Sequence, residues 1–125
     1  MAKVPNNLLV CVVDDDESVR AGTASLLRSA GYITESFGTA EAFLESEARR
    51  RCMCVVADIQ MPGMSGIDLA SELGRDQPYA PVILMTARTE REILASAASC
   101  NAVCLLRKPF NADQLLECVQ AASRR

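Results

Sequence analysis

The sequence predicts an α/β fold in which helices cover both faces of a five-stranded parallel sheet. Short apolar runs alternate with segments of helical spacing five times along the 125 residues, without repeats or linkers. A buried parallel strand is a nearly continuous apolar run, because helices cover both of its faces. Alternation of such runs with amphipathic helices is typical of doubly wound folds. We therefore predict a doubly wound five-stranded sheet with five helices, forming one domain over residues 1–125.

The predicted strands are short and are bounded by turn residues. They cover residues 8–13, 32–37, 52–57, 82–85 and 102–106. The helices between them are predicted from apolar residues at three- and four-residue spacing. The first begins near Ser18, with Gly22 on its inner stripe and Gly31 at its C-terminus, and the second follows Thr39 and runs into the arginines at 49–51.

Capping residues mark the start of the later helices. The third helix is predicted to begin near Ile67. Thr89 with Glu92 predicts a capping box for the fourth, and Asn111 with Gln114 predicts a similar cap for the last.

The composition excludes several classes of function. The net charge is −3, only 4% of residues are aromatic and there is no Trp, so neither a basic nucleic-acid surface nor a base-stacking platform is expected. No apolar stretch reaches the ~18 residues that span a bilayer, and the N-terminus lacks the plan of a signal peptide, so we expect a cytoplasmic protein without membrane contact. Six cysteines without any His predict reduced thiols rather than a zinc site, with Cys52 and Cys54 on one face of the third strand.

Charged and polar residues follow four of the five predicted strands. Asp14 and Asp15 follow the first strand, Asp58 the third, Thr86 the fourth and Lys108 the fifth. The carboxyl ends of parallel strands meet at one edge of the sheet, where ligands of doubly wound proteins bind. We therefore expect three carboxylates, a hydroxyl and an ammonium in one crevice.

This set suits the chemistry of phosphate and Mg²⁺. Crowded carboxylates require a compensating charge, and oxygen ligands with retained waters suit Mg²⁺. Lys108 can pair with a phosphoryl group, Thr86 can donate its hydroxyl proton to it, and an Asp can accept one covalently. The acidic triplet also has a purely structural explanation, because acidic residues after a strand often only cap the helix that follows.

The motifs at residues 12–20, 58–66, 85–87 and 108–110 resemble those of the receiver domain of two-component response regulators. The resemblance covers residues 8–122 and implies a CheY-like, flavodoxin-like fold with strand order 2-1-3-4-5. The first helix and residues 39–44 further resemble FixJ-like transcriptional regulators.

The resemblance also implies a role for each site residue. Asp58 would accept the phosphoryl group, Thr86 and Lys108 would contact its oxygens, and Asp14, Asp15, Asp58 and the Gln60 backbone carbonyl would bind Mg²⁺. The donor would be a partner histidine kinase or phosphotransfer protein, since this chain has no His. The domain would be a phosphoacceptor that assists its own phosphorylation and dephosphorylation, not an enzyme acting on other molecules.

The resemblance further implies a switch. Phosphorylation would change the surface formed by the fourth predicted helix, the fifth strand and the last helix, through Thr86 and residue 105. This surface could support a phosphorylation-dependent homodimer and control an output that is expected to be transcriptional. Leu105 stands where receivers commonly carry an aromatic residue.

Two alternatives remain from the sequence. The acidic run from Asp14 also resembles the signature of haloacid-dehalogenase-type phosphatases, but Asp113 stands alone where a later acidic pair is needed and the chain has no room for a cap. A receiver-like module that is never phosphorylated is the second alternative, which Leu105 keeps open.

Overall fold

The computed structural model describes residues 8–75, 80–100 and 102–123. Five parallel strands form one sheet in the order β2-β1-β3-β4-β5, which confirms the predicted fold and strand order. The strands are β1 (Leu9–Val13), β2 (Ile33–Phe37), β3 (Cys54–Asp58), β4 (Val82–Thr86) and β5 (Ala102–Arg107). The central strands β1, β3 and β4 are buried at every position, as expected for strands covered on both faces.

The part of the chain that is described contains six helices, one more than predicted. They are α1 (Glu17–Ser29), α2 (Ala40–Leu44), α3 (Ala48–Arg51), α4 (Gly66–Leu73), α5 (Arg91–Ser99) and α6 (Ala112–Ser123). None of these helices combines the length and apolar character required to cross a bilayer.

The extra helix arises because the predicted second helix is broken at Ser46. The Ser46 hydroxyl and backbone N–H both donate to the Phe43 carbonyl, at 2.7 and 3.0 Å. These bonds engage the carbonyl that residue 47 would use to continue the helix, and Ser readily competes in this way. The chain therefore ends α2 at Leu44 and begins α3 at Ala48.

The predicted cap of the fourth helix is wrong, whereas that of the last helix is confirmed. Helix α5 begins after Glu90, which makes no side-chain capping bond. The Arg88 N–H donates to the Thr86 hydroxyl at 2.9 Å and the Arg88 guanidinium pairs with Glu90, so the chain reaches helical geometry one residue later than predicted. Asn111 and Gln114 exchange backbone-to-side-chain bonds of 3.0 and 2.8 Å.

Two apolar clusters pack on opposite faces of the sheet. The face covered by α1 and α6 contains Leu27, Ile83 and Leu115, and the face covered by α2 to α5 contains Phe43 and Leu69. Within α1 the inner residues are Thr23, Ala24 and Leu27, so the predicted inward position of Gly22 is wrong. Gly31 follows the helix with φ 102°, a left-handed conformation that favours glycine at a helix end.

The prediction that Cys52 and Cys54 share a face is also wrong. Cys52 lies at the C-terminus of α3, outside the strand, and packs against the α2 to α5 cluster. Cys54 begins β3 and belongs to the α1 and α6 cluster. All six cysteines are free thiols.

Candidate functional site

The candidate site lies at the carboxyl edge of the four neighbouring strands β1, β3, β4 and β5. Asp14 follows β1, Asp58 and Thr86 are the last residues of β3 and β4, and Lys108 follows β5. The register places Asp58 beside Met85 and Thr86 beside Arg107, so these strand ends are level. The structure therefore brings the predicted residues together at one edge of the sheet.

Three carboxyl groups converge there. One oxygen from each of Asp14, Asp15 and Asp58 lies within 4.8 Å of the other two. Asp14 is fully buried and Asp58 is 6% exposed, whereas Asp15 is open to solvent. Like charges at this spacing repel one another strongly where water is scarce.

Lys108 supplies the ammonium that faces these groups. Its Nζ atom lies 2.9 Å from Asp14 Oδ2 and 3.5 Å from Asp58 Oδ2, and its side chain is 17% exposed. Its backbone N–H donates to the Thr86 carbonyl at 2.8 Å, which fixes the start of the side chain beside β4. Lys108 thus pairs with two of the three carboxyl groups, and no ion pair of the third, Asp15, is found among the described residues.

The pKa of Asp58 is raised above its usual value. Burial is the main cause, and the neighbouring Asp14 carboxylate adds to it, while Lys108 and the Gln60 backbone N–H act in the opposite direction. A bound cation would favour the ionised form of the Asp58 carboxyl group.

The third residue of the acidic triplet has a structural role. Asp16 Oδ1 accepts the backbone N–H groups of Ser18 and Val19, at 2.9 and 3.1 Å, and caps α1. The Asp16 N–H in turn donates to Asp14 Oδ1 at 2.9 Å. The helix-cap reading therefore holds for Asp16, while Asp14 and Asp15 belong to the carboxylate cluster.

The hydroxyl of Thr86 is fully engaged. It has two acceptors for its one proton, Gln60 Oε1 at 3.1 Å and the Arg88 carbonyl at 3.3 Å, and it accepts the Arg88 N–H at 2.9 Å. The Gln60 side chain was not singled out from the sequence, because its contact with Thr86 joins residues 26 positions apart.

The loop after Asp58 is held close to the site. The Gly66 N–H donates to the Ile59 carbonyl at 3.2 Å, and a Cβ at Gly66 would overlap the Asp58 carbonyl oxygen. Glu41 on α2 accepts the Met64 N–H at 3.0 Å. Both residues lie inside motifs singled out from the sequence, at 58–66 and 39–44, but neither of them was assigned a role there.

The donor set fits a hard divalent cation. It consists of carboxylate oxygens alone, two from buried residues and one from a residue open to solvent, where waters can complete the coordination. This combination suits a small cation that keeps several waters.

Comparison with known proteins identifies the family. The sequence model of the response regulator receiver domain matches residues 10–120. The chain belongs to this family. Receiver domains function in two-component signalling, and the predicted family is confirmed.

Curated relatives of this receiver domain include regulators of transcription. It is 37% identical over 117 residues to nodulation protein W of Bradyrhizobium diazoefficiens, covering 94% of this chain and 52% of the relative. It is 35% identical to the transcriptional regulatory protein FixJ of the same organism, covering 92% of this chain and 56% of FixJ. The chain thus spans about half the length of these relatives.

Solved structures agree with this assignment. A crystal structure of FixJ-N has a TM-score of 0.85 and 32% identity, with 94% of each chain covered. The Vibrio cholerae chemotaxis protein CheY4 has a TM-score of 0.79 and 26% identity, covering 92% of this receiver domain and 98% of CheY4.

Proposed function

We propose that this receiver domain accepts a phosphoryl group on Asp58 from the phosphohistidine of a partner histidine kinase or phosphotransfer protein. The convergence of three carboxyl groups with the Lys108 ammonium at one sheet edge supports this proposal most directly. The chain contains no His, so the donor phosphohistidine lies outside these 125 residues.

The geometry favours Asp58 over Asp14 as the acceptor. Asp14 is fully buried, and its two carboxylate oxygens are engaged by the Asp16 N–H and the Lys108 ammonium. Asp58 keeps contact with solvent and lies farther from the ammonium. An incoming phosphoryl group can therefore reach an Asp58 oxygen without displacing a short ion pair.

Transfer requires mainly position and charge neutralisation. An Asp58 oxygen forms the new bond to phosphorus as the bond to the donor imidazole breaks. Lys108 is placed to offset the charge on the phosphoryl oxygens, and Thr86 can donate its hydroxyl proton to one of them. The domain thereby assists its own phosphorylation, and it assists dephosphorylation by the same contacts.

Mg²⁺ is the cation that we assign to the acidic cluster. Asp14, Asp15, Asp58 and the Gln60 backbone carbonyl would hold it. When bound, the ion would offset the carboxylate charge and contact a phosphoryl oxygen.

The output of the signal is proposed to be transcriptional. A named relative, FixJ, is a transcriptional regulator, and the match covers 56% of its length. We assign residues 1–125 to the receiver domain alone and propose that it does not contact nucleic acid or membrane, in line with its net charge of −3. The face of α5, β5 and α6, with Thr86 and Leu105 as switch residues, would carry the signal and could form a homodimer.

The phosphatase alternative is not favoured. Asp113 lies exposed in the first turn of α6 and is not part of the carboxylate cluster among the described residues. The additional acidic group that this reading requires is therefore missing from the site as described.

Intact-mass measurement after incubation with Mg²⁺ and a small acyl phosphate tests the proposal. We expect one added phosphoryl unit on the wild type and none on Asp58→Asn. A mass increase that persists in Asp58→Asn and disappears in Asp14→Asn would instead support the phosphatase. An unchanged wild-type mass would support a receiver that is never phosphorylated.

A further inference from the structure

Arg20 makes a contact with the acidic turn that the proposed function does not use. It lies in the first turn of α1, and its Nη1 atom donates to the Asp14 backbone carbonyl at 2.7 Å. Nη1 also lies beside the turn after β2, 3.7 Å from the position of a Cβ built at Gly38. A charge-assisted bond of this length is among the stronger hydrogen bonds in proteins.

The carbonyl that Arg20 binds belongs to the peptide joining Asp14 to Asp15. Movement of this carbonyl changes the two backbone torsions beside it, ψ of Asp14 and φ of Asp15, and a net change in them displaces the Cα atom from which the Asp15 side chain extends. Asp15 is exposed, and its carboxylate makes no hydrogen bond or ion pair with the described residues. The position of the Asp15 carboxylate therefore depends on its own side-chain torsions and on the backbone that carries it, and the backbone is the part that Arg20 can fix.

Other hydrogen bonds already hold the backbone on either side of this carbonyl, at the Asp14 N–H and at the Asp16 carbonyl. The Asp14 N–H donates to the Phe37 carbonyl at 3.1 Å, and the Arg20 N–H donates to the Asp16 carbonyl at 2.9 Å. The bond from the Arg20 side chain fixes the one carbonyl between the two carboxylates.

We propose that Arg20 is a positioning residue for the bound cation, which it serves by orienting the Asp14–Asp15 peptide so that the Asp15 carboxylate faces Asp58. The inference rests on the proposed function, because it takes this cluster as the Mg²⁺ site. Arg20 itself does not touch the cation.

The charge of Arg20 and its hydrogen bond to the Asp14 carbonyl predict opposite changes in Mg²⁺ affinity when Arg20 is replaced. The guanidinium is a positive charge near the cation site, so its loss would tighten Mg²⁺ binding if charge alone mattered. Loss of the bond to the Asp14 carbonyl would weaken Mg²⁺ binding if position matters. The sign of the change therefore separates the two roles.

The test is titration of the unphosphorylated chain with MgCl₂, followed by the NMR shifts of backbone amides at the site. We expect Arg20→Met to bind Mg²⁺ about tenfold more weakly, the lower end of the effect of removing groups that orient metal ligands. Arg20→Lys keeps the charge and one donor, and we expect binding only about threefold weaker. Equal or tighter binding by Arg20→Met would overturn the proposal.

Arg28 provides a matched control on the same helix. It lies in the last turn of α1 and donates to the Thr34 hydroxyl at 3.1 Å. Arg28→Met removes the same charge from α1 without touching the acidic turn, so its Mg²⁺ affinity should equal that of the wild type. An equal loss in Arg28→Met and Arg20→Met would also overturn the proposal.

One further measurement separates loss of Mg²⁺ binding from loss of folding. Thermal unfolding in EDTA identifies any variant that fails to fold; if Arg20→Met does so, Arg20→Lys decides, and wild-type affinity in Arg20→Lys then contradicts the proposal. Absence of Mg²⁺ binding by the wild type would contradict the proposed function and this inference together. Binding by the wild type with unchanged binding by Arg20→Met contradicts this inference alone.

Discussion

The Thr86 hydroxyl and the Gln60 side-chain carbonyl lie 3.1 Å apart, in hydrogen-bond contact across the ends of β4 and β3. Thr86 is fully buried and its oxygen also accepts the Arg88 N–H at 2.9 Å. A hydroxyl has one proton to donate. The Arg88 carbonyl, at 3.3 Å, is a second acceptor for it. Under the proposed function, a phosphoryl oxygen on Asp58 would receive that proton only when the Thr86 hydroxyl turns away from both acceptors.

Gln60→Ala is expected to strengthen binding of beryllofluoride, a mimic of the phosphoryl group. The variant removes one of the two acceptors that compete for the Thr86 proton, while the Arg88 carbonyl at 3.3 Å remains. A net hydrogen bond of about 1 kcal/mol corresponds to about fivefold in affinity, which is the largest gain expected. Titration in the presence of Mg²⁺ measures the effect. In a Thr86→Val background the same substitution should have no effect, and an equal gain there would refute the competition.

Asp58→Asn is expected to stabilise the metal-free protein at neutral pH. The pKa of Asp58 is raised from 3.8 in the folded state, mainly by burial, so ionisation of this group favours the unfolded chain. The prediction is the sign of the change, which is an increase in the free energy of unfolding.

The pH dependence of this gain follows from the direction of the shift. Below the unfolded-state value of 3.8 both proteins carry an uncharged group at position 58, so the gain should vanish there. It should grow as the pH rises through 3.8 and the higher folded-state pKa, and remain constant above both. Urea unfolding in EDTA at several pH values measures it. A gain that grows toward acid pH would show that the pKa of Asp58 is lowered instead.

Lys108→Met is expected to destabilise the metal-free protein by about 2 kcal/mol. Removing one partner of a fully buried ion pair costs ~3–5 kcal/mol, and the cost should be smaller here because the cleft is partly open to solvent. The substitution leaves the fully buried Asp14 carboxylate without its ammonium partner. The matched control is the exposed pair of Arg51 with Glu35, at 2.8 Å, where Arg51→Met should cost under about 1 kcal/mol. If the two variants lost equal free energy of unfolding, burial of Asp14 would not account for the cost of removing its ammonium partner.

Gly66→Ala is expected to destabilise the domain by about 2 kcal/mol or more and to slow phosphorylation, because buried overpacking forces the backbone to move. The added methyl group would overlap the Asp58 carbonyl oxygen and lie 3.1 Å from a Leu84 methyl carbon. Gly22→Ala is the control, since no atom lies within 4 Å of its Cβ position in α1. Gly22→Ala should stabilise the domain by roughly 0.5–1 kcal/mol. If Gly66→Ala also stabilised the domain, the loop after Asp58 would have to adapt to the added methyl group at no cost.

Much of the fold and of the cluster of site residues could be predicted because each depends on local patterns with a simple geometric consequence. The apolar runs of β1, β3 and β4 are continuous, as burial on both faces requires. Asp14, Asp58, Thr86 and Lys108 follow or end such runs, and parallel strands must bring those ends to one edge.

The features that could not be predicted depend on bonds between a side chain and a distant or competing backbone group. The break at Ser46 follows from a choice between a hydroxyl bond and a helical bond to Phe43. The bond from Glu41 to the Met64 N–H joins residues 23 positions apart. The contact of Arg20 with the Asp14 carbonyl appears only once the turn has its three-dimensional shape.

Leu105 lies where the signal should leave the site. It pairs with Leu84 in β4, is partly buried, and packs against the α2 to α5 cluster. Together with Leu94 and Ala97 of α5 it lines a cavity of about 180 Å³ between α5 and β5. A larger side chain at position 105 therefore has space beside α5.

Leu105→Phe and Leu105→Tyr should leave the rate of phosphorylation by an acyl phosphate unchanged, because the carboxylate cluster and Lys108 are untouched. They should change phosphorylation-dependent self-association several-fold, since a flat ring can enter the space beside α5 when Thr86 moves, and ~1–2 kcal/mol of coupling corresponds to about five- to thirtyfold. Sedimentation with and without beryllofluoride measures the change. Ile33→Phe adds a ring on β2, at the opposite sheet edge, and should behave like the wild type. If both Leu105 variants fold and associate like the wild type in both states, position 105 is not part of the switch.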